Sequence, residues 1–464
     1  MDFSGYLSPF SWRYATPAMR TVWSEENKRK IWRKVWVTLA EVEAGYGLVS
    51  QTQISDLNAH QTQIDLKRAL EIEAEIHHDL MAELKTFAEQ CPLGGAILHL
   101  GATSMDIEDN ADVLRICDSI DIILDKLKNL LILLTALIDS HAETVIIAYT
   151  HIQPAEPSTL GYRFALYAQD IFSDWKALFE FRKTIKGKGF KGAVGTGAGY
   201  ADLLGAENLE EFEHQLSDRL GISFYSITSQ TYPRKQDYFL LTLLASIAGS
   251  VSKMALDLRI LQSPAFGELS EPFGKLQVGS SAMPFKRNPI NSEKINSLAR
   301  YLATLPQIAW DNSALTILER TLDDNANRRI ILPEGFLCCD EILQTAVRVI
   351  HGLQINLGAI TENFNRYAPF SAIERILLAT SKAGADRQVM HEHLRNLVME
   401  GWMEINNGRD NPLFNMVSSD PMILTYLSAG QIEILMDMSQ YTGFAKEHSI
   451  RLSHEIRTTL GMQC

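Results

Sequence analysis

Cysteine is scarce in this chain. The five residues Cys91, Cys117, Cys338, Cys339 and Cys464, in 464, form no CxxC pair and no metal-ligand spacing. An odd, scattered set of this kind carries no disulfide framework and points to a reducing compartment. Basic charge is also short. Lys and Arg number 43 against 56 Asp and Glu, a net charge of −13 whose field repels nucleic acids and anionic lipid surfaces. Long apolar runs are missing too. The longest, Leu130 to Ile138, is interrupted by Thr135 and falls far short of the ~20 residues of a membrane span. The opening residues, Met1-Asp2-Phe3-Ser4-Gly5, lack the basic and apolar regions of a secretory leader. These absences lead to the expectation of a soluble, cytoplasmic protein with neither nucleic acid nor membrane as a partner. The 46% apolar and 21% charged content fits an ordinary globular chain, and 464 residues make about three typical domain lengths or one large enzyme fold.

What is present is helical periodicity. From Ile120, the residues Ile123, Leu124, Leu127, Leu130, Leu131, Leu134, Leu137 and Ile138 recur at i, i+3, i+4 and i+7. Past Asp237, Leu240, Leu244, Ile247, Val251, Met254, Leu258 and Leu261 step alternately by four and three, the seam of helices packed like a coiled coil. Ile295, Leu298, Leu302 and Leu305 repeat the pattern, and a long apolar stretch from Asn325 to Leu357 carries Pro333, expected to kink it. Strand-like alternation is confined to Gly221–Ile227. The expected class is therefore all-α, with a long central helical bundle flanked by two smaller, mostly helical domains. Composition shifts give boundaries of 1–105, 106–357 and 358–464. The apolar excess of the long helices leads us to expect self-association.

Two glycine-rich segments call for opposite readings. Gly187-Lys188-Gly189-Phe190-Lys191-Gly192 spells GxGxxG but follows a helical segment, and further glycines occupy the place where a new helix should start. It lacks the βαβ setting of a dinucleotide fingerprint, so no nucleotide cofactor is implied and a close-passing loop is expected. Gly279-Ser280-Ser281-Ala282-Met283-Pro284-Phe285-Lys286-Arg287-Asn288-Pro289 closes a long loop, from about Pro264, between two heptad-patterned helices. Small residues leave backbone N–H groups free, and Lys286 adds a cation, so the loop could form a nest for a developing oxyanion. It equally fits a plain surface connection. His77-His78-Asp79 and His391-Glu392-His393 are not read as metal sites, because adjacent helical residues point about 100° apart.

GSSAMPFKRNP closely resembles the GSSxMPxKxNP signature of the fumarase/aspartase/argininosuccinate lyase superfamily. Further stretches are similar to its adenylosuccinate lyase branch nearly end to end: SWRY at 11–14, HDLM at 78–81, HLGATS at 99–104, THIQPA at 150–155, QTY at 230–232, and ERTLDD at 319–324 with NRR at 327–329. The resemblance implies anti β-elimination of fumarate from adenylosuccinate to leave AMP, and from succinyl-carboxamide imidazole ribotide. It also implies a homotetramer whose active sites draw residues from several chains. No cofactor and no metal belong to that reading; the expected partner is a small purine nucleotide. By the same resemblance Ser280 is the base, His151 the general acid, and Lys286 a cation of the loop. Arg13, Arg320 and Arg329 would bind the substrate's anionic groups, with Tyr14 beside Arg13. Thr103 and Ser104 would meet a carboxylate, Gln230 polar atoms of the succinyl group or purine, and Asn288 the succinyl end, while His78 and Asp79 support the substrate. Read alone, each arginine is a solvated surface charge and His151 a loop histidine.

Three positions depart from the family pattern: His77 stands for Arg, Asn325 for Ser and Lys294 for Arg. Each change removes permanent charge or bidentate geometry, or alters the shape of a donor, and is expected to weaken substrate binding more than chemistry. A sister lyase of the argininosuccinate or fumarase type, and a catalytically silent helical scaffold, are the alternative readings. The sister lyases lack the 319–329 segment, and a scaffold needs none of Ser280, His151 and Lys286.

Overall fold

The computed structural model describes residues 3–461; Met1, Asp2 and Cys464 lie outside the described residues. It is 67% helical. The chain forms two compact units, one of residues 1–127, 174–249 and 297–344, the other of 128–173, 250–296 and 345–464. Ser104–Ser140, Leu160–Thr184, Lys235–Leu261, Ile290–Leu302 and Asn325–His351 are helices with residues in both units.

The heptad positions are core. Leu240, Leu244, Ile247, Val251, Met254, Leu258 and Leu261 are all buried, as are Ile123, Leu127, Leu130, Leu131, Leu134 and Ile138. Lys235–Leu261 is, among the described residues, the one helix long and apolar enough to cross a membrane, with mean hydropathy 1.7. A count of uninterrupted apolar residues overlooks it; its seam from Leu240 to Leu261 is buried, while Phe239 and Leu256 are exposed. The third seam breaks at Ala303-Thr304 into the helices Ile290–Leu302 and Leu305–Ala314. Pro333 sits inside Asn325–His351 without ending it.

In the first unit, Arg29 and Arg33 of the helix Glu25–Ala44 converge on buried Glu83 at 3.0 and 2.6 Å. A second buried cluster joins three long helices. Arg234 donates to Asp109 at 3.0 Å and to Asp324 at 2.6 Å, while Arg328 donates to Asp237 at 2.8 Å and to the Tyr232 hydroxyl at 2.7 Å. The glycine-rich segment 187–192 encloses an anion, but the anion is the protein's own. The amides of Lys191 and Gly192 donate to the Asp106 carboxylate at 3.1 and 3.2 Å, and buried Lys188 pairs with it. Gly195 (φ +81°) shows why glycine is needed, since a Cβ there would lie 2.0 Å from the Thr228 carbonyl.

In the second unit the main β element is a hairpin, Val145–Thr150 against Gln153–Thr159, which the periodicity does not announce. Pro154 and Pro157 and a register shift between Ile147 and Tyr149 obscure its alternation. The expected β segment near Gly221 contributes only Ser223–Phe224, parallel to Lys186–Gly187 in the first unit. A separate apolar cluster, which includes Ile376, Met390, Leu394, Leu413, Ile423 and Ile432, forms the core of the C-terminal helices. Cys91, Cys117, Cys338 and Cys339 are buried and free.

Buried Glu43 has one carboxylate oxygen without a hydrogen-bond partner, and burial pushes its carboxyl up to about 8 from 4.5. The folded chain therefore keeps a proton that the unfolded chain releases above pH 4.5, and stability falls as pH rises through that window before levelling above 8. We expect Glu43→Gln to remove one group's share of that slope, up to ~1.4 kcal/mol per pH unit. Urea denaturation at pH 5.5, 6.5 and 7.5 measures it, and parallel slopes for both proteins would refute the assignment.

Candidate active site

The first unit contains a cavity of about 560 Å³, within the range of small-molecule sites. His78, Asp79, Thr103, Ser104, Gln230, Arg320 and Arg329 all line it, together with His77 and Asn325, two of the three positions that depart from the family pattern. Local sequence explains how they meet. His77 ends the helix Leu66–Ile76 in a left-handed conformation, and His78 caps the next helix, Asp79–Gln90, its Nδ1 accepting from the Met81 amide at 3.4 Å. The Nε2 of His78 then faces the Ser104 hydroxyl at 3.4 Å.

Thr103 and Ser104 are fixed from behind. The Thr103 amide donates to Asp106 at 2.9 Å while the Asp106 amide returns to the Thr103 carbonyl at 3.0 Å, a closed helix start. Ahead of it, His99 (φ 68°) and Gly101 (φ 70°) turn the chain sharply. Gly101 packs so close to Tyr200 that an added Cβ would lie 2.9 Å from its ring. Trp36 Nε1 donates to His99 Nδ1 at 3.0 Å, so a neutral His99 carries its proton on Nε2, and burial lowers its proton affinity.

The two cavity arginines are held by carboxylates. Arg329 pairs with Asp79 at 2.8 Å and Arg320 donates to Asp324 at 2.8 Å. Arg329 keeps 47% of its side chain exposed, so part of its donor fork remains open to the cavity. Sequence reasoning missed Glu108, which also lines this cavity. Its spacing of four from Ser104 on one helix was the available signal.

Other expected residues do not join this lining. Arg13 and Tyr14 belong to the same unit but not to the cavity; exposed Arg13 lies over the Trp12 ring at 5.6 Å. His151, Ser280, Lys286 and Asn288 belong to the second unit. His151 and Ile152 form the two-residue turn of the hairpin, at φ 54° and 62°. Such a turn normally uses Asn-Gly, and a β-branched residue at positive φ is a strained choice. The result is an imidazole projected into solvent. Lys286 is exposed on the signature loop, whose Ser280 hydroxyl accepts from the amides of Met283 at 3.1 Å and Ala282 at 3.4 Å. Asn288 donates to the Gly279 carbonyl at 3.0 Å and closes the loop on itself. At the loop's base, Glu271 accepts from the amides of Asn291 and Ser292, while Gln262 bridges Glu271 and Arg287. His393 pairs with Asp420 at 2.8 Å and Glu392 with Arg395, so that segment's charges are used internally.

Known proteins are similar to this chain in sequence and in fold. Residues 12–302 match the family model described as Lyase, and residues 369–451 match that of the adenylosuccinate lyase C-terminus. Adenylosuccinate lyase of Schistosoma mansoni is 37% identical over 426 residues, covering 90% of this chain and 88% of its own. That of Saccharomyces cerevisiae is 36% identical, covering 96% and 93%, and that of Pyrococcus abyssi 37%, covering 95% and 96%. Among solved structures, a fumarate lyase from Mesorhizobium sp. BNC1 superposes with TM-score 0.83 at 23% identity, over 97% of this chain and 99% of that one. A 3-carboxy-cis,cis-muconate lactonizing enzyme from Pseudomonas putida gives 0.85 at 22%, with the same coverage. These two establish the fold.

The Asp106 pair supports the Thr103–Ser104 wall and the glycine-rich segment at once. Asp106→Ala leaves Lys188 buried without its carboxylate, and we expect a loss of about 3–5 kcal/mol in unfolding free energy. A denaturant midpoint corresponding to a loss under about 1 kcal/mol would show that the pair does not hold this wall.

Proposed function

This chain belongs to the adenylosuccinate lyase family, a family of lyases, and on that premise we propose how it carries the reaction. The substrate is adenylosuccinate, and the products are AMP and fumarate. Succinyl-carboxamide imidazole ribotide is proposed as a second substrate, since it carries the same succinylamino group on a ribotide. The elimination needs a base for a carbon acid beside a carboxylate, an acid for the departing nitrogen, and donors for the dianionic intermediate.

Ser280 is the base in this reading, and one observation carries it: its Oγ already accepts two backbone N–H groups, which would stabilise the alkoxide on proton loss. Lys286 adds positive charge on the same loop. His151, exposed on its strained turn, delivers the proton to the leaving nitrogen. Thr103 and Ser104 bind a carboxylate, Arg329, Arg320, Arg13 and Tyr14 serve the phosphate side, Gln230 and Asn288 meet polar atoms of the base and succinyl group, and His78 and Asp79 support them.

Incubation of purified protein with adenylosuccinate, followed by ultraviolet absorbance and identification of fumarate, tests the activity. Ser280→Ala and His151→Gln are each expected to lower kcat by about 10²- to 10⁴-fold with little change in AMP affinity. Retention of a tenth of wild-type turnover by Ser280→Ala would reject that base.

We also propose assembly as a homotetramer with shared active sites. Leu276, Val278 and Phe285 on the signature loop are 97%, 76% and 82% exposed in the single chain, a poor arrangement for apolar side chains left in water. Sedimentation should report four subunits at micromolar concentration, and mixing the two inactive variants should restore part of the activity. A stable, active monomer would rule this out.

A further inference from the structure

Glu108 is a partly buried acid that the proposed chemistry does not use. It stands one helical turn beyond Ser104 and faces the same cavity. A second cavity of about 100 Å³ is also lined by Glu108, and the two share Asp79, Asn325 and Arg329. These four side chains are thus the partition between a substrate-sized space and a smaller charged chamber.

The charges around that partition are mostly spoken for. From the helix Glu25–Ala44, Lys28 pairs with Glu25 at 2.8 Å. From the 73–79 region come Glu73, His77, His78 and Asp79. On its own helix, Asp109 is held by Arg234 and Asp112 by Arg115 at 3.2 Å. From the 320–329 segment, Arg320 goes to Asp324, Arg328 to Asp237 and Arg329 to Asp79. Glu108 has no ion pair of its own among the described residues, and Arg329 is the cation that lines both cavities with it.

We propose that Glu108 is a positioning residue of the substrate cavity: when ionised it competes with the anionic substrate for Arg329, and so sets how strongly that arginine binds it. This rests on the functional reading above. Arg329 is paired with the Asp79 carboxylate, and Glu108 lines the same wall of both cavities. Burial, then the neighbouring Asp79 and Asp112 carboxylates, push the Glu108 carboxyl up to about 8 against the pull of Arg329. At neutral pH Glu108 is uncharged, and Arg329 carries only Asp79. As pH rises through 8, Glu108 ionises, adds a negative charge to the wall and weakens anion binding. By linkage, an anion bound near pH 8 drives proton uptake.

The probe is AMP, titrated calorimetrically into the full-length protein between pH 6.5 and 9 at constant ionic strength. The wild-type Kd is expected to weaken by up to about tenfold between pH 7 and 9, one proton's worth per pH unit at most. Glu108→Gln, which keeps the shape and fixes the neutral form, is expected to lose this weakening between pH 7 and pH 9. The KM for adenylosuccinate should follow the same profile, with kcat much less affected. An unchanged pH dependence in Glu108→Gln, or a flat wild-type profile, overturns the proposal. If the variant does not fold, the wild type still decides: titrations at pH 8 in buffers of different ionisation heat should show proton uptake, and none overturns it. Absence of both AMP binding and adenylosuccinate turnover at pH 7 overturns the functional reading and this inference with it. Turnover with the wrong pH profile overturns this inference alone.

Discussion

The first unit depends on one buried ionic cluster. Arg234, Arg328, Asp109, Asp237 and Asp324 are at most 5% exposed, and Tyr232 sits among them fully buried. Taking such charges out of water costs several kcal/mol each, so the fold is favourable only where every partner is in place. That condition aligns Asp109 of Ser104–Ser140, Asp237 of Lys235–Leu261 and Arg328 of Asn325–His351. Leucine seams alone would tolerate a slip of one heptad, since the next layer offers similar side chains. The ion pairs do not tolerate it. The Tyr232 amide, donating to Asp109 at 2.9 Å, also fixes the segment that brings Gln230 to the cavity, and Asp324 passes the alignment on to Arg320.

The same economy of charge governs the cavity in a protein of net −13. An anionic substrate needs local positive potential, and arginines left without a partner would not be held in one orientation. Arg320 and Arg329 each take one carboxylate as an orienting partner and leave remaining donors for the ligand. The two glycine-containing loops show the same backbone chemistry turned to different ends. In 187–192 the amides gather on Asp106, and the anion position is filled for good. In the signature loop the amides gather on a neutral hydroxyl, Ser280, which gains most from them only when it becomes an anion.

The heptad seams made the long helices legible, because a 3.5-residue period sustained over seven positions matches the geometry of packed helices and no strand or loop repeats that way. The signature loop and the segments lining the cavity were legible as motifs, through resemblance more than through physics. The hairpin was not. Its second strand carries Pro154 and Pro157, and its turn is made by His151-Ile152, where the usual local signal is Asn-Gly. Glu108 offered only one weak signal, its spacing of four from Ser104, and the cavity is what shows that its neighbours matter. The break at Ala303-Thr304 interrupts a seam that continues through Leu302 and Leu305, so periodicity ran past a backbone turn it could not register.

The residues assigned to chemistry in the second unit share a mechanical design. Each sits at the tip of an irregular segment whose base is tightly held. The signature loop leaves a strand anchored by Glu268, which accepts from Arg163 at 2.7 Å, from Tyr149 at 3.1 Å and from Asn363 at 3.1 Å, and it re-enters a helix capped by Glu271. The hairpin is held at the same place, since Arg163 also donates to the Ile147 carbonyl at 3.1 Å. One buried carboxylate, Glu268, therefore fixes the roots of both the loop with Ser280 and the turn with His151. The tips remain exposed, and at the turn the backbone accepts strain of order 1–3 kcal/mol to keep the imidazole projecting. Firm roots limit the directions in which the tips can move, which lowers the cost of ordering them around a ligand without burying the reactive groups beforehand.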